Sequence, residues 1–281
     1  MRTDTLRCTD KEETDMLMKG KKGIIFGVSN KHGIANAIAE QIYAQGGEIA
    51  FTYANEVMEK RVKPIAEEMK AKMCIECDVT KDEDVEKTFE EYAKHYDTLD
   101  FVIHAVAFAN KEDLMGDFYT TSREGWDLAM HVSAYSLLTI TKYAKPQMEK
   151  SGGGAITALT YLGGEKAVAN YNIMGVAKAA LEASMRYIAL DLGKYNIRCN
   201  ALSAGPVKTL AAKGIGGFDK MLKANVLKAP LGRTPSLEDV GRAGLYLSSD
   251  LSTGVSAQIH YVDCGAHAVF ASIDEIANIS L

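Results

Sequence analysis

Seven short runs rich in apolar and β-branched residues, each followed or preceded by a segment of helical pattern, constrain this 281-residue chain more than any other feature. They are GIIFGV (23–28), EIAFTY (48–53), MCIECDV (73–79), LDFVIHAVAF (99–108), AITALTYL (155–162), NIRCNALSAG (196–205) and QIHYVDCG (258–265). Their length and composition are those of buried strands. Between them lie helical segments near 29–46, with Ile34, Ile38 and Ile42 on one face, and near 55–71, 85–96, 123–149, 170–184 and 236–250. Strands separated by helices cannot pair as hairpins. They need right-handed crossovers, which predicts one doubly wound α/β sheet of Rossmann type, mainly seven-stranded and parallel, with ligands at the C-terminal ends of the strands.

Pro64 is expected to kink or restart the second helix, and Pro146 stands near the end of the long one at 123–149. Ser236, with Glu238 and Asp239 behind it, reads as an N-cap. Residues 1–18 are polar and aperiodic and read as a flexible extension, leaving 19–281 as a single domain. Within it, 206–233 is too long for an ordinary connection and is expected to act as a lid.

A hydrophobic content of 47% is ample for a large core, and a net charge of −5 without a basic stripe argues against a nucleic-acid partner. No apolar run reaches membrane-spanning length, and the first residues lack the apolar core of a secretory signal. Cys74 and Cys77 form a C-x-x-C within a strand-like run and the five cysteines are odd in number, so a reducing, cytoplasmic setting is expected. The six histidines show no ligand spacing, and no metal site is expected. His104 reads as a packed, hydrogen-bonded core histidine.

The chemistry concentrates between 154 and 184. Tyr161 ends the fifth strand, and Tyr171 and Lys178 stand seven residues apart on the following helix, which places both on one face. A phenol beside an ammonium can hold a carbonyl oxygen on which negative charge grows. The spacing recurs at Tyr53/Lys60, Tyr135/Lys142, Tyr143/Lys150 and Tyr187/Lys194, so only the strand-end context distinguishes Tyr171/Lys178. Taken alone, the residues leave this pair balanced between a functional and a structural role. Gly27 and Gly33 bracket the first strand-to-helix turn, where backbone could approach a pyrophosphate, but Gly27-x5-Gly33 is looser than G-x-G-x-x-G and reads more readily as an ordinary turn.

The stretches GVSNKHGIANAIA, EIAFTYANE, CDV, HAVAFA, TYLGGEKAVANYNIMGVAKAALEAS and NALSAGPVKTLAA, in that order, resemble bacterial enoyl-acyl-carrier-protein reductases, a divergent branch of the short-chain dehydrogenase/reductases. The resemblance covers roughly 20–265, and its most specific part is Tyr161-x9-Tyr171-x6-Lys178; the Tyr-x3-Lys of ordinary members is absent. It implies NADH-dependent reduction of the C2–C3 double bond of trans-2-enoyl thioesters in fatty acid elongation, with acyl carrier protein as partner and a homotetramer as assembly. It also implies catalytic roles for Tyr161, Tyr171 and Lys178 and cofactor contacts at Gly27, Gly33, Ile34, Asp78, Val79, Val106, Lys178, Val207, Lys208, Thr209, Leu210 and Ala211. Substrate contacts are implied at Phe108, Ala109, Tyr161 and Tyr171, and Met221 supplies apolar surface in the expected lid. Gly33 stands where relatives commonly carry Ser, and Ala54 where some carry Gln. The residues after the second strand, Tyr53-Ala54-Asn55-Glu56, lack the cation that a 2′-phosphate needs, which favours NADH. A catalytically silent nucleotide-binding module is the alternative that the fold would also permit.

Overall fold

The computed structural model describes residues 16–209 and 218–271. In chain order the principal elements are β1 (Lys22–Phe26), α1 (Ile34–Ala44), β2 (Glu48–Tyr53), α2 (Glu56–Glu68), β3 (Cys74–Glu76), α3 (Asp82–His95), β4 (Phe101–His104) and the one-turn α4 (Lys111–Leu114). They continue with α5 (Arg123–Met130), α6 (Ser136–Lys150), β5 (Gly154–Thr160), α7 (Asn172–Leu192), β6 (Ile197–Ala204), α8 (Phe218–Lys228), α9 (Leu237–Ser248) and β7 (Ile259–Val262). The strands form one seven-stranded sheet in the order β3-β2-β1-β4-β5-β6-β7. Every pairing is parallel, with Ile24 opposite Ala50 on one side of β1 and opposite Val102 on the other. The order reverses between β1 and β4, where a doubly wound sheet opens a crevice.

Both faces of the sheet are covered, so its strands read as continuous apolar runs. Ile24, Phe26, Val102, Ile156 and Ala201 point into the layer containing Leu137, Leu181 and Met185. Their neighbours Ile25, Ile49, Phe51 and Ile103 point the other way, toward Ile38, Ile42 and Val62. Burying each large aliphatic of this set contributes roughly 1.5–3 kcal/mol. Among the described residues, no helix is long and apolar enough to cross a membrane.

The structure departs from the sequence reading at several places. Helix α2 runs through Pro64 without restarting. Its buried face, Val62, Ile65 and Ala66, carries it, while Pro64 and Lys60, whose carbonyl loses its helical donor, are exposed residues. The helix expected over 123–149 is divided by a π-helical turn at His131–Tyr135. Met18, at the end of the expected extension, is fully buried and its N–H donates to the Gln45 carbonyl at 2.9 Å; residues 1–15 lie outside the described part. Ser236 caps α9 as expected, in a reciprocal capping box with Asp239. Of the expected lid, 210–217 lie outside the described residues and 218–228 form α8.

Candidate active site

The centre of the site is the C-terminal end of β5. Tyr161 follows Thr160 in extended conformation, and a short 3-10 turn at Leu162–Gly164 carries the chain away from the sheet. It returns through a tight turn in which Asn170 and Asn172 adopt positive φ, 63° and 32°, a region that asparagine tolerates better than most residues. Tyr171 therefore stands at the N-cap of α7, not inside the helix as its spacing from Lys178 predicted. The Asn172 side chain fixes this turn by donating to the Gly116 carbonyl at 3.1 Å.

The two phenol rings meet edge to face, with centroids 5.0 Å apart and planes at 69°. Gly163 makes room for them: a Cβ there would lie 2.4 Å from Tyr171 Cδ1 and 3.3 Å from Tyr161 Cδ1. Gly175 on α7 is equally constrained, since its Cβ would come within 2.7 Å of the Gly163 carbonyl oxygen. The glycines after Tyr161 are thus a packing requirement. The Tyr161 hydroxyl reaches Met221 Sδ of α8 at 3.5 Å.

Lys178 is 5% exposed, and its ammonium donates to the Leu159 carbonyl at 2.7 Å. Burial lowers its pKa to about 8, against the opposing attraction of Glu182. Burial raises the phenol of Tyr171, with Tyr161 and Glu182 adding to the effect, and burial followed by Asp263 raises that of Tyr161. At neutral pH both tyrosines are hydrogen-bond donors, and the buried ammonium of Lys178 is bound to the same strand end, at the Leu159 carbonyl two residues before Tyr161. That arrangement can stabilise a developing oxyanion without surrendering a proton.

The sequence reading missed Glu182, which is 6% exposed and accepts a hydrogen bond from the Thr160 hydroxyl at 2.5 Å. Its position one turn after Lys178 on the same helix was the available signal. It also missed the π-helical turn, a feature frequent at functional sites. Ser133 in that turn is fully buried; its hydroxyl accepts from the Phe108 N–H at 3.0 Å and donates to the Phe108 carbonyl at 3.2 Å. Phe108 itself is 51% exposed, with Ala109 half-buried beside it. His104 is packed as expected, with Nε2 2.7 Å from Ser136 Oγ. Since Ser136 donates to the Val132 carbonyl, Nε2 carries the imidazole proton, which leaves Nδ1 without a partner among the described residues.

The remaining expected residues follow the strand ends: Gly27 after β1, Asp78 and Val79 after β3, Val106 after β4, and Val207, Lys208 and Thr209 after β6. Leu210 and Ala211 lie outside the described residues. From β3 to β5 are four strand spacings, about 19 Å at ~4.8 Å each, a distance an extended dinucleotide can bridge. Gly27 has φ +93°, and a Cβ would sit 2.3 Å from the Ala105 carbonyl oxygen, so only glycine lets β1 and β4 approach here. Gly33 caps α1 with φ −94° and no side-chain hydrogen bond, and no acidic residue occupies the first turn. The first-turn N–H groups with Ile34 at their head therefore lack a side-chain cap and suit an anion such as a pyrophosphate. Asp78 is half-buried and engaged within its own turn: burial pushes its carboxyl up, but the Thr80 hydroxyl and N–H and the Lys81 ammonium bring it below the usual range. After β2, Asn55 caps α2 and the Tyr53 hydroxyl donates to Glu59 at 3.3 Å. Among the described residues no cluster could hold a metal.

Comparison with known proteins agrees with this geometry. The family model for Enoyl-(Acyl carrier protein) reductase matches residues 27–267. The NADH enoyl-acyl-carrier-protein reductase of Rickettsia prowazekii is 48% identical over 259 residues, 92% of this chain and 98% of that protein. The corresponding Bacillus cereus enzyme is 45% identical over 253 residues, 89% of this chain and 98% of its own. Among solved structures, the reductase of Anaplasma phagocytophilum in complex with NAD superimposes with a TM-score of 0.88 at 48% identity, covering 92% of this chain and 97% of that one. A Bacillus cereus reductase structure with NADP+ and indole naphthyridinone gives 0.87 at 45% identity, covering 90% and 98%. With its strand order, the tyrosine at the end of β5 packed on the tyrosine capping α7 and a match spanning nearly its whole length, this chain belongs to the enoyl-acyl-carrier-protein reductase family.

Proposed function

We propose that this chain is an NADH-dependent enoyl-acyl-carrier-protein reductase of fatty acid elongation, which saturates the C2–C3 double bond of trans-2-enoyl thioesters delivered on acyl carrier protein. NADH, when bound, would supply the hydride that C3 receives. The chain's own residues manage the charge that results. Tyr171 donates a hydrogen bond to the thioester carbonyl and stabilises the enolate oxygen, while C2 takes the final proton from water. The burial that raises the Tyr171 pKa keeps its proton on the phenol. Lys178 binds the nicotinamide ribose and supplies positive potential from the end of β5, and Tyr161 completes the site beside Tyr171. Gly27, Gly33 and Ile34 hold the pyrophosphate, Asp78, Val79 and Val106 the adenosine side, and residues 207–211 the nicotinamide side. Phe108, Ala109 and Met221 face the acyl chain.

The observation that carries this reading is the edge-to-face pair Tyr161/Tyr171 at the C-terminal sheet edge, together with the buried Lys178 bound to the Leu159 carbonyl of the strand that ends in Tyr161. Oxidation of NADH by the purified protein with crotonyl thioester, compared with acetoacetyl thioester, tests it. Crotonyl thioester should turn over and the ketone should be the poorer substrate; faster acetoacetyl turnover overturns the reading.

The single domain over 19–281, the lid at 206–233, the cytoplasmic setting and the homotetramer belong to the same proposal. The contact between Met221 and Tyr161 supports a covering role for α8. Tyr187 and Leu190 on α7, 72% and 76% exposed, and Leu138 on α6 support assembly through these helices.

A further inference from the structure

We propose that Glu182 is a positioning residue of this site: its carboxylate, tied to the Thr160 hydroxyl, keeps Lys178 charged and held against the last residues of β5. The inference rests on the function proposed above, and nothing in that function assigns a role to Glu182.

Lys178 and Glu182 lie one turn apart on α7 and bind consecutive residues of β5: the ammonium donates to the Leu159 carbonyl at 2.7 Å, and the carboxylate accepts from Thr160 Oγ1 at 2.5 Å. Tyr161 is the next residue, so the two bonds fix α7 to the strand end that presents the first phenol. Both side chains are withdrawn from solvent, 5% and 6% exposed. Gly164 closes over the carboxylate: a Cβ there would stand 2.7 Å from Glu182 Oε1 and 3.1 Å from the Lys178 carbonyl carbon. A buried carboxylate is costly to keep unless it serves a partner.

The charges around the pair are few. Lys178 faces Glu182 and, on β4, His104, which its positive potential helps hold neutral. Glu182 faces Lys178 and Arg186 on α7, Glu165 beyond the 3-10 turn, and the phenols of Tyr171 and Tyr261. Burial raises the Glu182 carboxyl, and Thr160, Arg186 and Lys178 oppose that rise. Glu182 is the group that opposes the loss of the Lys178 proton to burial.

The test is NADH affinity against pH, read by cofactor fluorescence without thioester. In the parent protein, affinity should fall as pH rises through about 8, where Lys178 loses its proton. Glu182→Gln keeps the size and an acceptor for Thr160 but removes the charge, and should move this fall downward by about half a pH unit or more. A loss confined to packing would lower melting temperature and leave the midpoint in place. If Glu182→Gln does not fold, the same coupling is read from its other side. In Lys178→Met, the Glu182 carboxyl followed by 13C NMR should titrate higher than in the parent protein. An unmoved midpoint in the first experiment, or an unmoved carboxyl in the second, overturns the inference. Absence of NADH binding in the parent protein would instead overturn the proposed function on which it rests.

Discussion

Tyr161 and Tyr171 come together from two differently built segments, one at the end of a strand and one at the cap of a helix, with ring centroids 5.0 Å apart. Neither phenol owes its position to helical periodicity. Each is held by the glycines of the turn between them and by the short connection that returns the chain to α7. This separation of origins lets the roles of Tyr171 and Lys178 be tested independently.

Tyr171→Phe should lower kcat on crotonyl thioester by about 10²–10³-fold while leaving a measurable rate, because one oxyanion donor is lost and the cofactor still binds. Lys178→Ala should instead raise KM for NADH markedly. Steady-state kinetics with both substrates varied separate the two effects, and a Tyr171→Phe variant with unchanged kcat would remove the phenol from the mechanism.

NADH should be preferred over NADPH. After β2 the chain offers Asn55, engaged in capping α2, and Glu59, engaged with Tyr53 and Lys63, while Lys31 of the first strand-to-helix turn is paired with Glu68. A 2′-phosphate would meet acidic groups or compete for occupied cations. A kcat/KM for NADPH equal to or above that for NADH would contradict this expectation, and the Bacillus cereus relative solved with NADP+ makes the measurement pertinent.

Gly27 and Gly33 should respond oppositely to a side chain. At Gly27, positive φ and an overlap with the Ala105 carbonyl act together, so Gly27→Ala should cost about 2–4 kcal/mol in denaturant unfolding. At Gly33 the backbone is ordinary and the nearest atom is 3.3 Å from a Cβ, so Gly33→Ser should stay within about 0.5 kcal/mol.

His104 should make the fold acid-labile. Burial, with Lys178 adding to it, lowers its pKa from about 6.5 to about 3. A base with a depressed folded pKa contributes stability that is complete above the unfolded value and is lost as pH falls through the folded one. The window is therefore about 6.5 down to 3, and the amount on the order of 5 kcal/mol. Unfolding free energies of the parent protein and His104→Leu should converge across this window; parallel curves would show that the imidazole does not titrate there.

Ser133→Ala should leave the Phe108 N–H and carbonyl without the hydroxyl that now serves both. The expected cost is about 1–3 kcal/mol of stability, together with a KM for the thioester raised more than that for NADH, since Phe108 lies on the proposed acyl side. Equal changes in both KM values would mean that the π-helical turn supports the fold alone.

Local patterning in the sequence determined the alternation of strands and helices, hence the parallel sheet, and the placing of Asp78, Val106 and Tyr161 at the C-terminal ends of strands. These features follow from periodicity and length, which are properties of contiguous residues. The same patterning singled out Tyr171/Lys178 among five equally spaced pairs, because only that pair follows a strand ending in tyrosine. Tertiary structure alone decided how the side chains serve one another. Tyr171 sits at a cap because two asparagines take positive φ before and after it. Gly27 is required by the carbonyl of Ala105, 78 residues away, as much as by its own turn. Ser133 clamps Phe108 across 25 residues, and Glu182 meets Thr160 across 22. Such contacts join residues remote in sequence and depend on strand register and helix packing, so no single segment of the chain records them.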